Sequence, residues 1–201
     1  MKATVFNLLS VQILRHATAA LFSASAALPV LAADMAGAGQ TDKVARGKYL
    51  VTIAGCNDCH TPWKPGPSGA APDMTRMLSG HPQTMAMPPA PQPQGPWLVS
   101  AAATNTAWSG PWGVSFTANL TPDAETGLGR WTLRNFVDTI RSGRHMGRGR
   151  QILPPMPIPM YKHMTDEDLE AIYTYLRTIP AVSNRVPEPL PPAARSVATN
   201  Q

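Results

Sequence analysis

Cys56-Asn57-Asp58-Cys59-His60 places two thiols and an imidazole within five residues, and these are the only two cysteines of the chain. A C-x-x-C pair followed at once by histidine is the spacing that attaches c-type haem. Cys56 and Cys59 can add to the two vinyl groups of a porphyrin, and His60 then lies directly beneath the iron as one axial ligand. A thioredoxin-like dithiol, half of a zinc site and a disulfide are the other uses of C-x-x-C. A structural zinc site needs four ligands, and the sequence has no second cysteine pair or paired histidines to complete one. A redox dithiol has no need of His60 and normally opens a helix in a βαβ context, a pattern absent from this chain.

A haem iron held by one histidine has a sixth position, and its occupant decides between electron transfer and ligand chemistry. A methionine thioether is a soft, neutral donor that stabilises ferrous iron and raises the potential. Leu153-Pro154-Pro155-Met156-Pro157-Ile158-Pro159-Met160-Tyr161 is the best-placed source of one. The prolines stiffen that loop, so little entropy remains to be lost when a sulfur binds. Met156 is the first candidate and Met160 its close rival. Met146 and Met164 come after them, and His81, His145 or His163 would give bis-histidine ligation instead. Most methionines fill gaps in cores, so at most one of these is a ligand.

Helices must hold these groups. A first helix is predicted over Thr41–Ala54, capped by Thr41 or Asp42, with Val44, Tyr49, Leu50 and Ile53 as its apolar positions. Gly47 inside it marks either a close helix–helix approach or a tolerated cost of about 1 kcal/mol. A second helix runs from Thr132 to Ser142, with Leu133, Phe136, Val137 and Ile140 on one face and Gly143 as its stop. A last helix runs from Thr165 to about Thr178, with acidic residues at its positive end and Pro180 beyond it. Residues 62–118 are crowded with proline and glycine and punctuated by Trp63, Trp97, Trp108 and Trp112. Tryptophans argue against a disordered linker, so this segment is expected to be an ordered, irregular wrapping loop with one short helix at Asp73–Leu78. Its indole rings either shield a haem edge or pin the loop to the protein. Strand patterns are weak throughout, and the expected class is all-α.

Residues 1–33 read as a secretory signal peptide: Lys2 and Arg15 carry the only charges before an alanine-rich apolar run that ends in small residues. A retained membrane anchor is the other reading, although the run falls short of the ~20 residues a spanning helix needs. Removal of that leader takes the formal net charge from +5 to about +3 and leaves about 168 residues, enough for one domain with a modest core. Residues 42–180 form the expected domain and 181–201 a proline-rich, extended tail. No basic helix or aromatic-basic repeat suggests nucleic-acid binding.

Taken together these residues resemble the monohaem class I cytochrome c family, and in particular the periplasmic cytochrome c domains that accompany bacterial dehydrogenases. The likeness rests on Arg46-Gly47-Lys48-Tyr49-Leu50, on Cys56 to His60, on Asn119-Leu120-Thr121-Pro122-Asp123 with Thr126-Gly127-Leu128-Gly129-Arg130-Trp131, on Met156-Pro157, and on Thr165 to Leu176. It covers about Asp42 to Pro180. The resemblance implies the class I cytochrome c fold with an unusually long insertion after the haem motif, one covalent haem c, thioether anchors at Cys56 and Cys59, and axial ligands His60 and Met156. It implies that the first and last helices cross with Gly47 under Tyr175, and that Asn119 and Trp131 line the haem. Either of those two could reach a propionate, or serve only the turn at Thr121-Pro122-Asp123.

The function so implied is that of an electron carrier rather than an enzyme, working outside the inner membrane of a Gram-negative bacterium within a respiratory chain. Its donor would be a periplasmic dehydrogenase and its acceptor a terminal oxidase or another cytochrome, with membrane contact only if the leader is retained. A haem-based ligand sensor or peroxidase-like enzyme with a displaceable sixth ligand is the alternative. Arg141, Arg144, His145, Arg148 and Arg150 form the densest basic run, either a steering surface for an acidic partner or an ordinary solvated loop.

Overall fold

The computed structural model describes residues 27–89 and 96–192, with side chains from residue 39 onward. Most of the expected leader (1–26) and the end of the tail (193–201) lie outside the described residues, as do Pro91 and Pro93. Two units are distinguished, Met1–Thr41 and Asp42–Gln201. The described part of the first is helical from Ala27 onward. The second carries the cysteine motif and every candidate ligand.

Helix α1 spans Ala27–Ile53, so Thr41 and Asp42 lie within it rather than at its cap. Alanine-rich sequence favours helix, and Pro29 sits in the first turn, where a missing N–H costs nothing. From Asp42 onward its buried positions are Gly47, Leu50 and Val51, while Tyr49 and Ile53, expected to face inward, are 54% and 61% exposed. Ala54 and Gly55 end it, and Gly55 adopts φ 67°, a left-handed conformation that glycine takes without a Cβ penalty. That turn redirects the chain into the one-turn helix α2, Cys56–His60.

Strands β1 (Trp63–Gly66) and β2 (Gly69–Pro72) form an antiparallel ribbon, with Trp63 opposite Pro72 and Gly66 opposite Gly69. A single 3-10 turn at Met74–Arg76, capped by Asp73, stands where the short helix was expected. Strands β3 (Ser100–Ala101), β4 (Ala107–Gly110) and β5 (Gly113–Phe116) make a second antiparallel sheet in that order. Val114 also pairs with Leu190, which brings the tail against β5.

The all-α expectation is therefore wrong: five strands in two antiparallel sheets accompany five helices among the described residues. All five strands fall inside residues 62–118, the segment expected to be irregular. They are two to four residues long, too short to show a two-residue period. In β1 and β2 the prolines and glycines that normally argue against strands are tolerated because both strands of a lone ribbon are edges.

Helices α3 (Leu133–Ser142), α4 (Ile158–Tyr161) and α5 (Asp166–Leu176) follow. Thr132 and Asn135 close a reciprocal capping box on α3, and the Thr165 hydroxyl accepts from the Asp168 N–H on α5. Leu50, Val51, Phe136, Ile140, Leu169, Ile172 and Leu176 meet in one apolar cluster together with Leu78 and Leu128. A Cβ built on Gly47 would overlap the Ala171 carbonyl oxygen and lie 2.7 Å from Tyr175 Cβ. Only glycine lets α1 and α5 approach so closely.

Candidate functional site

Cys56 and Cys59 stand one turn apart on α2, both half-buried and with no disulfide between them. The turn is pinned from several directions. Its Asp58 carbonyl accepts from Trp63 Nε1 at 2.9 Å and from Asn105 Nδ2 at 2.8 Å. Thr61 Oγ1 donates to Asn57 Oδ1 and accepts the Leu78 N–H. Trp63 thus fastens the ribbon to α2 through its indole, one of the two roles open to the tryptophans of this segment.

His60 is buried and held at two points. Its carbonyl accepts the Gly80 N–H at 2.7 Å, and its Nδ1 lies 2.8 Å from the Ala118 carbonyl oxygen. A carbonyl can only accept, so Nδ1 carries the hydrogen and Nε2 keeps the lone pair. Fixing one ring nitrogen in this way orients the other as a ligand. Burial holds His60 in its neutral form by lowering its pKa, with the Ala118 contact opposing more weakly. Burial likewise pushes the Cys56 thiol up to about 11 and raises that of Cys59. A redox dithiol needs a depressed thiol pKa, so these environments speak against that use of the pair.

The methionines separate by burial. Met156 is half-buried and packs against the same apolar cluster as Cys56, Leu120, Trp131 and Tyr161. Met160 is 71% exposed. Met164 is packed against the cluster, and Met146 is exposed. A cavity of about 370 Å³ has Met156 in its wall, with Gly143, Gln151 and Ile158 among its other residues; neither Cys56 nor His60 lines it. His81 is fully buried, with Nδ1 on Thr106 Oγ1 and Nε2 near the Met85 carbonyl. His145 and His163 are exposed.

Asn119 and Trp131 serve visible structural contacts. Asn119 Nδ2 donates to the Val182 carbonyl and Thr126 Oγ1, and its Oδ1 accepts from Thr121. Trp131 packs edge-on against His145, and its carbonyl accepts the Tyr173 hydroxyl. In the basic run, Arg141 is paired with Asp166 and Arg150 with Glu188, while Arg144 donates to the Gly149 carbonyl. Sequence reasoning passed over Ser115, Tyr161 and Asn184. An aromatic after Met-Pro was the only signal for any of them.

The residues fit a c-type haem on the chemistry of the donor set: a pair of thiols on one turn, a neutral imidazole presenting Nε2, and a core-facing thioether. No protein-family model matches the chain. Among curated proteins it is similar to a subunit of nicotinate dehydrogenase from Pseudomonas putida, 34% identical over 43% of this chain and 7% of that protein. It is similar to the fructose dehydrogenase cytochrome subunit of Gluconobacter japonicus, 29% identical over 67% of this chain and 21% of the relative. It also matches a diheme cytochrome c-type protein of Cereibacter sphaeroides, 27% identical over 76% and 41% of the two chains. The chain thus spans less than half the length of each of these relatives. Its resemblance is thus to cytochrome c subunits of bacterial dehydrogenases and to a diheme c-type cytochrome.

Proposed function

We propose that this chain is a periplasmic c-type cytochrome that passes single electrons through one haem c, anchored by Cys56 and Cys59 and ligated by His60 and Met156. The observation that carries this reading is the ring of His60, the residue directly after the second cysteine: neutral, buried, and held through Nδ1 on the Ala118 carbonyl. When bound, the haem supplies an iron that cycles between ferrous and ferric.

Each protein group has a limited task. Cys56 and Cys59 hold the group covalently. His60 presents one nitrogen, with its tautomer set by Ala118. Met156, packed against the apolar cluster, offers a sulfur from a loop with little freedom, whereas the exposure of Met160 makes it the poorer donor. With His60 buried and Met156 half-buried, these residues would limit the access of water to a bound iron. No substrate binds at the metal and no proton is moved, so the chain acts as an electron-transfer component and not as the catalytic subunit.

Its donor is a periplasmic dehydrogenase, in keeping with relatives that are named as dehydrogenase cytochrome subunits, and its acceptor is a terminal oxidase or another cytochrome. Residues 1–33 direct export. No helix among the described residues is long and apolar enough to cross a membrane.

The test is the absorption spectrum of protein from a host competent in cytochrome maturation. A c-type α band and a red-region sulfur-to-iron charge-transfer band are expected, the latter lost in Met156→Ala and kept in Met160→Ala. Denatured protein without covalent pigment would rule out the haem reading altogether. Pigment without the red band would rule out methionine ligation and favour a ligand-binding or peroxidase-like role.

A further inference from the structure

Residues 154–161 are joined to distant parts of the chain by two side-chain hydroxyls. At one end, Ser115 Oγ on β5 donates to the Pro154 carbonyl at 2.5 Å. At the other, the Tyr161 hydroxyl donates to the Ala54 carbonyl at 2.5 Å. Among the described residues, no other hydrogen bond links this stretch to a residue more than four positions away. Between the two anchors the chain is one compact turn: the Ile158 N–H bonds the Met156 carbonyl at 2.8 Å, and the Met160 and Tyr161 N–H groups both bond the Pro157 carbonyl. A shift at Tyr161 is therefore carried to Met156.

Ala54 is two residues before Cys56, so the second anchor ends on the turn that leads directly into α2. Tyr161 packs against the same apolar cluster as Cys56, and burial pushes its phenol up to about 12. The two faces of the site are thus connected through Tyr161 without any cofactor.

We propose that Tyr161, with Ser115 at the opposite end, is a positioning residue that holds the Met156 turn in place over α2 and so limits how readily the sixth position opens to outside ligands. This role rests on Met156 being the axial ligand, as proposed above. A thioether is a weak donor, and competing ligands gain access whenever its loop opens locally. Loss of one intramolecular hydrogen bond lowers the cost of that opening by the net value of the bond, an increase of about fivefold in the open population. Tyr161→Phe keeps the ring and its packing and removes only the hydroxyl. Ser115→Ala removes the other anchor, together with the contacts of the same oxygen to Trp112 Nε1 and the Trp108 carbonyl.

The experiment measures imidazole affinity of the oxidised, haem-loaded full chain, the red-region band, and the urea midpoint for wild type, Tyr161→Phe, Ser115→Ala and Met156→Ala. Imidazole affinity is expected to rise about fivefold in Tyr161→Phe and in Ser115→Ala, with the red band retained when no imidazole is present. A tether with a merely structural role would lower the urea midpoint and leave imidazole affinity where it was. That result, in a protein whose red band disappears in Met156→Ala, overturns this inference alone. A wild type without the band, or a Met156→Ala that keeps it, overturns the axial assignment and this inference with it. Should Tyr161→Phe fail to accumulate folded protein, Ser115→Ala carries the same comparison.

Discussion

The helices and the segment from Thr61 to Ala118 bury different kinds of atoms. Where α1, α3 and α5 meet, the interior is leucine, isoleucine, valine and phenylalanine, closed by backbone contact at Gly47. Around the two sheets the fully buried residues include His81 and Thr106, bonded to each other, and Thr121, bonded to Asn119, while Asn184 reaches the His81 carbonyl and accepts from Asn119 through its own. The first region is held by area removed from water and close packing. The second depends on polar groups finding partners, because an unpaired buried one costs about 1–3 kcal/mol. Both regions grip the candidate site: α1 leads into the cysteine turn, while Gly80 and Ala118 hold His60. An apolar region tolerates small losses gradually, and a polar network fails at single atoms.

The sharpest way to break this comparison is at Gly47. Gly47→Ala forces a Cβ onto the Ala171 backbone oxygen, and overpacking of this kind costs about 3 kcal/mol, at the upper end of its usual range. Urea unfolding of the haem-loaded protein should show the loss; a change under about 1 kcal/mol would mean that α1 and α5 separate easily.

Asn184 is the matching point in the polar region. It is 1% exposed, its Nδ2 donates to the carbonyls of Ser79 and His81, and its Oδ1 accepts the Gln83 N–H. Asn184→Ala leaves three backbone groups without that partner and should cost about 2 kcal/mol by the same measurement. An unchanged midpoint would show that water replaces the side chain and that the tail is not part of the cooperative unit.

The smallest effect expected is one of pH. Burial lowers the pKa of His81 below its ordinary 6.5, with Arg76 adding to the shift and the Met85 carbonyl opposing it. The unfolded chain then binds the proton more readily than the native one. The contribution of a neutral His81 is therefore fully present above about pH 6.5 and declines as pH falls through the native value. Stability curves of wild type and His81→Gln should converge as the solution is acidified from about pH 7. Parallel curves would assign the acid response to other groups.

Reading the chain without its fold served the helices and the cysteine turn far better than it served the segment between them. Thr132 and Thr165 announced the starts of α3 and α5 because a cap is a matter of three or four consecutive residues. The start of α1 was misplaced, since Thr41 and Asp42 look like caps but lie within a longer helix. The strands were missed because Trp63–Gly66 and Gly69–Pro72 carry no alternation and include prolines. Tyr161 and Ser115 could not be singled out, because their partners Ala54 and Pro154 are 107 and 39 positions away.

What the sequence determined by itself was everything whose geometry is set within one turn: two thiols and an imidazole at fixed spacing on α2, helix caps, and a proline-stiffened methionine loop. What only the tertiary structure decided was which atoms meet across the chain: the carbonyl that selects the His60 tautomer, the burial that separates Met156 from Met160, and the hydroxyls that anchor the loop. Local spacing follows from covalent reach, which any reader of the chain can compute. Long-range pairing depends on which buried polar groups are left needing a partner once the apolar core has closed.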